Sequence, residues 1–149
     1  GLKKEAFLEK ISEKFEITQT FYPVSPSIKG NIGMFLDNEW YELTEKAAYR
    51  MDDCVEGLDV AFLQREVLTP IFGISDPKKD PRIEFVGGIR GIGELEMRVH
   101  TDMAVAFSMH PTSIGELFAV ADDNRMMPPK STWFEPKLRS GLFIHRFER

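Results

Sequence analysis

The spacing of apolar residues predicts the elements at the start of the chain. Residues 3–15 carry apolar side chains at helical intervals opposite a charged face, which predicts an amphipathic helix. Two short apolar runs, residues 31–36 and 39–43, flank the dipeptide Asp37-Asn38. That dipeptide is typical of a tight turn between antiparallel strands, so the pattern predicts a hairpin near the N-terminus.

The pattern in the rest of the chain predicts further helices and strands. Residues 58–71 place their apolar residues on one stripe, and Pro70 with Gly73 marks the end of this helix. Residues 103–109 are almost wholly apolar, which favours a buried central strand, whereas residues 46–55 fit no single pattern. The other predicted elements are an extended segment at 16–22, a loop at 75–81, a strand at 82–86, a short helix at 93–99, a helix at 112–121 capped by Thr112 or Ser113, and a last strand at 142–147.

This order of elements predicts an α+β fold. We expect one domain spanning residues 1–149, with a mixed, mostly antiparallel sheet, an N-terminal hairpin and three to four helices on the sheet. A chain of 149 residues that is 42% apolar is long enough to bury a real core. No apolar run approaches the roughly 18 residues of a membrane span, and no signal peptide is visible. Because the chain begins with Gly1, we expect a fragment of a longer protein or a cleaved tag.

The charge of the chain limits the partners that it can bind. A net charge of −5 argues against general nucleic-acid binding, which requires a basic face. Residues 130–149 are locally positive, with five basic and two acidic residues. That excess favours a small anion over a polyanion, and ordinary surface charge is the alternative interpretation.

Cysteine and histidine provide little evidence for reactive or metal-binding chemistry. Cys54 is the single cysteine, so no internal disulfide forms and a reducing, cytoplasmic location is expected. Acidic neighbours raise a thiol pKa, which argues against a thiolate nucleophile at this position. The three histidines lack the spacing of metal ligands, so no metal site is predicted. His110 or His145 as a general base is an alternative to a structural role.

The segment from residue 127 to residue 142 is the strongest candidate for a binding site. Its three prolines exclude a regular helix or central strand, so it is a stiff loop that carries hydrogen-bond donors. Lys130-Ser131-Thr132 resembles the end of a phosphate-binding P-loop, but two prolines stand where that motif requires glycines. The loop is therefore not a P-loop. It remains a candidate anion site through the ligands Lys130, Ser131, Thr132, Lys137 and Arg139, with structural anchoring of the loop as the alternative.

A glycine-rich segment at residues 87–93 is a second candidate. Four glycines in seven residues permit close approach of a ligand or another backbone, and Arg90 among them is a candidate anion ligand. The spacing does not match a dinucleotide-binding fingerprint. A flexible connection before a short helix is the alternative interpretation.

Several motifs together resemble one known family. The run Met-Pro-Pro-Lys-Ser-Thr at residues 127–132, continued by Trp-Phe-Glu-Pro-Lys-Leu-Arg-Ser-Gly-Leu, is long and specific. Supporting matches are the sequences of residues 68–74, 85–91, 104–107, 111–113 and 121–122. Over residues 85–145, and more loosely from about residue 8 to residue 147, the chain resembles the C-terminal part of the domain-of-unknown-function family 1015 of bacteria and archaea. The resemblance implies a missing N-terminal part as partner and a loose association with serine metabolism, with no assigned reaction, catalytic residue or cofactor.

Two functions from different classes follow from these observations. The first is binding of a small phosphorylated or carboxylated metabolite by the loop of residues 127–142, within a larger, phosphotransferase-like enzyme. The second is a structural or interaction domain in which the same loop is a buried clasp. In that case Trp133 and Phe134 would pack in the core or form a docking surface, and Lys130 would pair with Asp122 or Asp123.

Overall fold

The computed structural model describes residues 3–132 of the chain. The predicted strand at 142–147 and the candidate residues Trp133, Phe134, Lys137 and Arg139 lie outside the described residues. The strands are β1 (Phe15–Thr20), β2 (Asn31–Leu36), β3 (Glu39–Glu45) and β4 (Val105–Met109). The α-helices are α1 (Lys4–Ser12), α2 (Asp59–Leu63), α3 (Thr69–Phe72), α4 (Gly93–Thr101) and α5 (Ile114–Asp122).

The four strands form one sheet in the order β1-β3-β2-β4, and each of the three pairings is antiparallel. The predicted hairpin is confirmed as β2 and β3. Its two turn residues, Asp37 and Asn38, have φ values of 52° and 62°, as a tight turn between twisted strands requires. Helices pack against this sheet, so the predicted α+β class is confirmed.

Alternation along the hairpin divides the core between the two faces of the sheet. Met34 and Tyr41 pack on one face with residues of α1 and of the helical segment 59–72. Phe35 and Trp40 point to the opposite face, where their ring centroids lie 5.2 Å apart and α4 covers them. Neighbouring residues along each strand therefore belong to different clusters, because successive side chains of a strand point to opposite faces of the sheet.

The helix predicted at 58–71 is confirmed, but it is not a uniform α-helix. Its middle turn, Gln64–Leu68, is a π-helical turn between α2 and α3. This wider turn ends two residues before Pro70, which has no backbone N–H and crowds the preceding turn of a regular helix. The segment ends at Gly73, whose φ of 67° is the left-handed conformation typical of a helix C-terminus.

One strand prediction is wrong in the described structure, and a second strand forms as predicted. Residues 82–86 form no strand: the Arg82 side chain instead donates hydrogen bonds to the Asp80 carboxylate and the Phe72 carbonyl, and its backbone N–H also bonds to Asp80. Local side-chain partners therefore replace a strand ladder. The strand at 103–109 forms as β4, but within residues 3–132 it lies at the edge of the sheet, and most of its side chains are only half-buried.

Candidate functional site

The predicted anion-binding loop begins as a closed turn that projects Lys130. The Ser131 backbone N–H and hydroxyl both donate to the Pro128 carbonyl, at 3.3 and 2.7 Å. Between them, Lys130 adopts a φ of 58° and its side chain is exposed. Thr132 follows as a half-buried residue. The Ser131 hydroxyl is thus engaged by the protein itself, whereas the Lys130 ammonium faces solvent.

Both ends of residues 127–132 are attached to the domain. Met127 packs against the buried cluster of Leu58, Ala61 and Val120. At the other end, the Thr112 hydroxyl donates to the Ser131 carbonyl at 3.0 Å. These two attachments hold the start of the loop beside the N-terminus of α5.

Lys130 does not make the ion pairs expected of a clasp. Within residues 3–132 it pairs with neither Asp122 nor Asp123. Arg125 takes that place, with its Nη1 atom 2.7 Å from Asp53 and 3.6 Å from Asp123. The expectation that Asp122 or Asp123 holds Lys130 is therefore wrong.

Arg90 forms its ion pair with Glu94 and not with the loop. It belongs to a short 3₁₀ turn and its guanidinium is mostly exposed, 3.3 Å from the Glu94 carboxylate at the start of α4. Among the described residues, no hydrogen bond or ion pair joins Arg90 to Lys130. The structure therefore does not bring these two predicted anion ligands into one bonded network.

A cleft of about 500 Å³ adjoins the N-terminus of α5, and we name it the α5 cleft. Its polar lining consists of Lys29, Asp52, Asp53, Cys54, Ser113 and Glu116. Ser113 caps the helix, since its hydroxyl accepts from the Glu116 N–H while the Glu116 carboxylate accepts from the Ser113 N–H. Of the two predicted caps, Ser113 is the one used. The second carboxylate oxygen of Glu116 lies 2.8 Å from the Lys29 ammonium.

Most charged groups of the α5 cleft already have partners. The Glu56 backbone N–H, the Arg125 guanidinium and the Val55 N–H together lower the pKa of Asp53 to about 2. Desolvation and the nearby Asp123 carboxylate raise the pKa of Cys54, which keeps the thiol protonated. That direction agrees with the sequence-based argument against a thiolate nucleophile. The α5 cleft is thus built mainly from satisfied side chains.

A second cleft, of about 260 Å³, lies on the other side of Lys29, and we name it the Glu45 cleft. Its lining is Lys29, Gly30, Glu45, Arg50, Met51, Gly57 and Phe62. Gly30 sits between two buried acids. Its N–H donates to both oxygens of Asp59, and its carbonyl accepts from the Glu45 N–H at 2.8 Å.

Burial changes the ionisation of both acids. Burial of the Glu45 carboxyl and the neighbouring Asp59 raise the pKa of Glu45 from 4.5 to about 7, against the opposing charges of Arg50, Lys29 and Arg65. Burial also raises the pKa of Asp59. The Glu45 side chain is 6% exposed, and its Oε1 atom has no hydrogen-bond partner in the described part of the chain.

Sequence reasoning missed Glu45 and Asp59. A signal for Glu45 does exist, because Tyr41, Leu43 and Glu45 alternate along β3 and the first two face the core. Continuing that alternation places a carboxylate on the apolar face of the sheet. Asp59 has no comparable signal, since it looks like an ordinary acid in the first turn of a helix.

The described histidines contact the protein itself. His100 bonds to the Asn38 side chain at 2.7 Å and His110 to the Pro26 carbonyl at 3.2 Å. Over residues 3–132, no group of three His, Cys, Asp or Glu side chains is placed to hold a metal ion. Over the same range, no helix is both long enough and apolar enough to cross a membrane.

Comparison of the chain with family models, with curated proteins and with solved structures found no match.

Proposed function

We propose that this domain binds a small phosphorylated or carboxylated metabolite through the loop of residues 127–142, with Lys130 as a principal cation. The observation that carries the proposal is the backbone of Lys130. Its φ of 58° is unfavourable for a residue with a long side chain, whereas the other non-glycine residues with positive φ among residues 3–132 are Asp or Asn. Such local strain is often found at binding sites, and here it directs an exposed ammonium into solvent.

The other predicted ligands contribute unequally in this proposal. Because the Ser131 hydroxyl closes the turn on Pro128, Ser131 supports the turn and need not contact the anion. Thr132, Lys137 and Arg139 remain proposed ligands. Arg90 would join the site only after it leaves Glu94, which costs little for an exposed ion pair.

Calorimetry tests this function directly. We would titrate phosphate, phosphoserine and nucleotides into the wild-type chain and into Lys130→Ala, Lys130→Arg and Lys78→Ala. Lys78 is also exposed but lies in the separate loop of residues 75–81, which makes it the matched control. We expect Lys130→Ala to weaken binding at least about tenfold, or about 1.4 kcal/mol, and Lys78→Ala to bind normally. An equal loss of affinity in Lys130→Ala and Lys78→Ala would refute the proposal, and so would the absence of binding to the wild type.

The resemblance to the domain-of-unknown-function family 1015 supports a wider proposal. In it, the chain is the C-terminal part of a longer protein and binds the metabolite itself, while the N-terminal part supplies catalytic carboxylates or a nucleotide site. The whole protein would be a cytoplasmic, phosphotransferase-like enzyme related to serine metabolism, and no cofactor is assigned. The acidic net charge supports a small molecule as ligand in preference to nucleic acid.

The structural role is the second candidate, and the two attachments of the loop favour it. Met127 is packed in a cluster and Ser131 is tied to Thr112, as expected of a segment that holds the domain together. In this case Thr112→Val lowers the melting temperature because it removes the hydrogen bond to the Ser131 carbonyl, and Lys130→Ala has no effect on anion binding. An unchanged melting temperature for Thr112→Val would exclude the clasp.

A further inference from the structure

The Glu45 cleft contains a buried carboxylate that is incompletely satisfied. Glu45 lies at the end of β3 with its side chain 6% exposed, and it lines the cleft. Its Oε1 atom has no hydrogen-bond partner among residues 3–132. Within the same range, the ion-pair contact of its Oε2 atom is a long one, 3.8 Å, to the Arg50 Nε. A buried carboxylate with a free acceptor is costly, and a charged donor satisfies it best.

Two cations share this cleft and limit what can enter it. Arg50 and Lys29 both line the cleft, and about half of each side chain is exposed. Since Lys29 also pairs with the Glu116 carboxylate, Arg50 is the main charge that would repel a bare cation, while a bare anion would leave Glu45 without a donor. The lining is therefore complementary to a molecule that carries both charges.

The size and apolar lining of the cleft restrict the ligand further. A volume of about 260 Å³ is below the usual range for drug-sized ligands, which suits a molecule of only a few heavy atoms. Met51 and the buried Phe62 supply the apolar part of the lining, where a short carbon skeleton can lie.

Arg50 is the cation in contact with Glu45. Its Nη2 atom donates to the Glu45 carbonyl at 3.2 Å, and its Nε atom lies 3.8 Å from the Oε2 atom. The Oε1 atom is buried in this structure, so a donor reaches it only when a side chain of the lining moves, and Arg50 is the half-exposed side chain in contact with the carboxylate. The displaced guanidinium is then available for the anionic end of the ligand.

We propose that the Glu45 cleft binds a small zwitterion, with the ligand's ammonium on Glu45 and its carboxylate on Arg50 and Lys29. This site is distinct from the proposed anion loop, since none of its residues belongs to residues 127–142. It does not depend on Lys130.

Three probes of nearly equal size test the proposal by calorimetry or ligand-observed NMR on the 149-residue chain. β-Alanine carries both charges, propylammonium carries only the positive one, and propionate carries only the negative one. We expect β-alanine to bind at least tenfold tighter than either single-charge probe. Failure of all three to bind, or equal binding of β-alanine and one single-charge probe, would overturn the proposal.

Two matched substitutions then assign the contacts. Glu45→Gln keeps the shape of the side chain and removes its charge, so the preference of the protein for β-alanine over propionate should be lost. Glu16→Gln on the exposed surface of β1 is the control and should leave that preference intact. Circular dichroism establishes that each variant is folded. A folded Glu45→Gln variant with wild-type selectivity would overturn the role of Glu45.

Discussion

The backbone N–H of Gly30 donates hydrogen bonds to both carboxylate oxygens of Asp59, at 3.1 and 3.0 Å. On its other side, the Gly30 carbonyl accepts the N–H of Glu45. One residue therefore joins the loop before β2, the end of β3 and the start of α2. The φ of Gly30 is 87°, a conformation that other residues adopt only with strain.

The first prediction concerns the backbone of Gly30. We expect Gly30→Ala to lower the free energy of unfolding by about 1–2 kcal/mol, because the left-handed backbone becomes strained. The added Cβ would also lie 2.8 Å from the Arg50 Nη2 and displace that side chain. Urea denaturation measures the change. Gly88→Ala is the control, since a Cβ there meets no atom within 4 Å. An equal loss of stability in Gly30→Ala and Gly88→Ala would contradict the prediction.

The second prediction is a pH dependence set by Glu45. Its pKa is about 7 in the folded protein and near 4.5 when unfolded, so the folded state binds the proton more tightly. The contribution of Glu45 to stability is therefore complete below pH 4.5 and is lost as the pH rises to about 7. The full loss is at most about 3 kcal/mol. Chemical denaturation between pH 4 and pH 8 should show this decline.

Glu45→Gln isolates this effect. The charged groups that act on Glu45 are Asp59, Arg50, Lys29 and Arg65. The pKa of Asp59 is also raised, so Asp59 too makes the protein less stable as the pH rises. We expect the variant to show a flatter stability profile than the wild type, with Glu16→Gln unchanged. A variant that loses as much stability as the wild type between pH 4.5 and pH 7 would contradict the assignment to Glu45.

Sequence patterns predicted the elements whose signals are local. The Asp37-Asn38 turn, the helix before Gly73 and the cap at the start of α5 each depend on residues within a few positions of one another. The strand predicted at 82–86 was wrong because alternation alone cannot show that a partner strand exists. The π-helical turn before Pro70 was missed because one wider turn within a helical segment leaves the apolar spacing of the whole segment close to that of an α-helix.

The Glu45 cleft could not be predicted because its residues are joined only by the fold. Gly30 and Asp59 are 29 positions apart, and neither belongs to a motif with a known spacing. The raised pKa of Glu45 depends on burial, which a single sequence does not reveal. Lys130, by contrast, was singled out by its proline-rich setting, but the left-handed backbone that projects it became visible only in the structure.

The third prediction concerns the cap of α5. The Ser113 hydroxyl accepts the Glu116 N–H at 3.2 Å, so Ser113→Ala leaves that N–H without its partner. We expect a loss of about 1 kcal/mol in the free energy of unfolding, and a smaller loss for Ser113→Asp, which can also cap. Urea denaturation with Ser27→Ala as an exposed control measures this. Equal stability of Ser113→Ala and the wild type would show that the cap contributes nothing.

The fourth prediction separates the two roles considered for Lys130. Its left-handed backbone costs about 1 kcal/mol, and glycine adopts that conformation without strain. Because glycine also loses about 0.4–1 kcal/mol more conformational entropy on folding, we expect Lys130→Gly to raise the free energy of unfolding by no more than about 0.6 kcal/mol while anion binding is lost. Lys78→Gly, at an exposed site without positive φ, should be neutral or destabilising and should bind normally. If Lys130→Gly destabilises the protein as Lys78→Gly does, the backbone of Lys130 is not strained, and the main observation behind the anion site is removed.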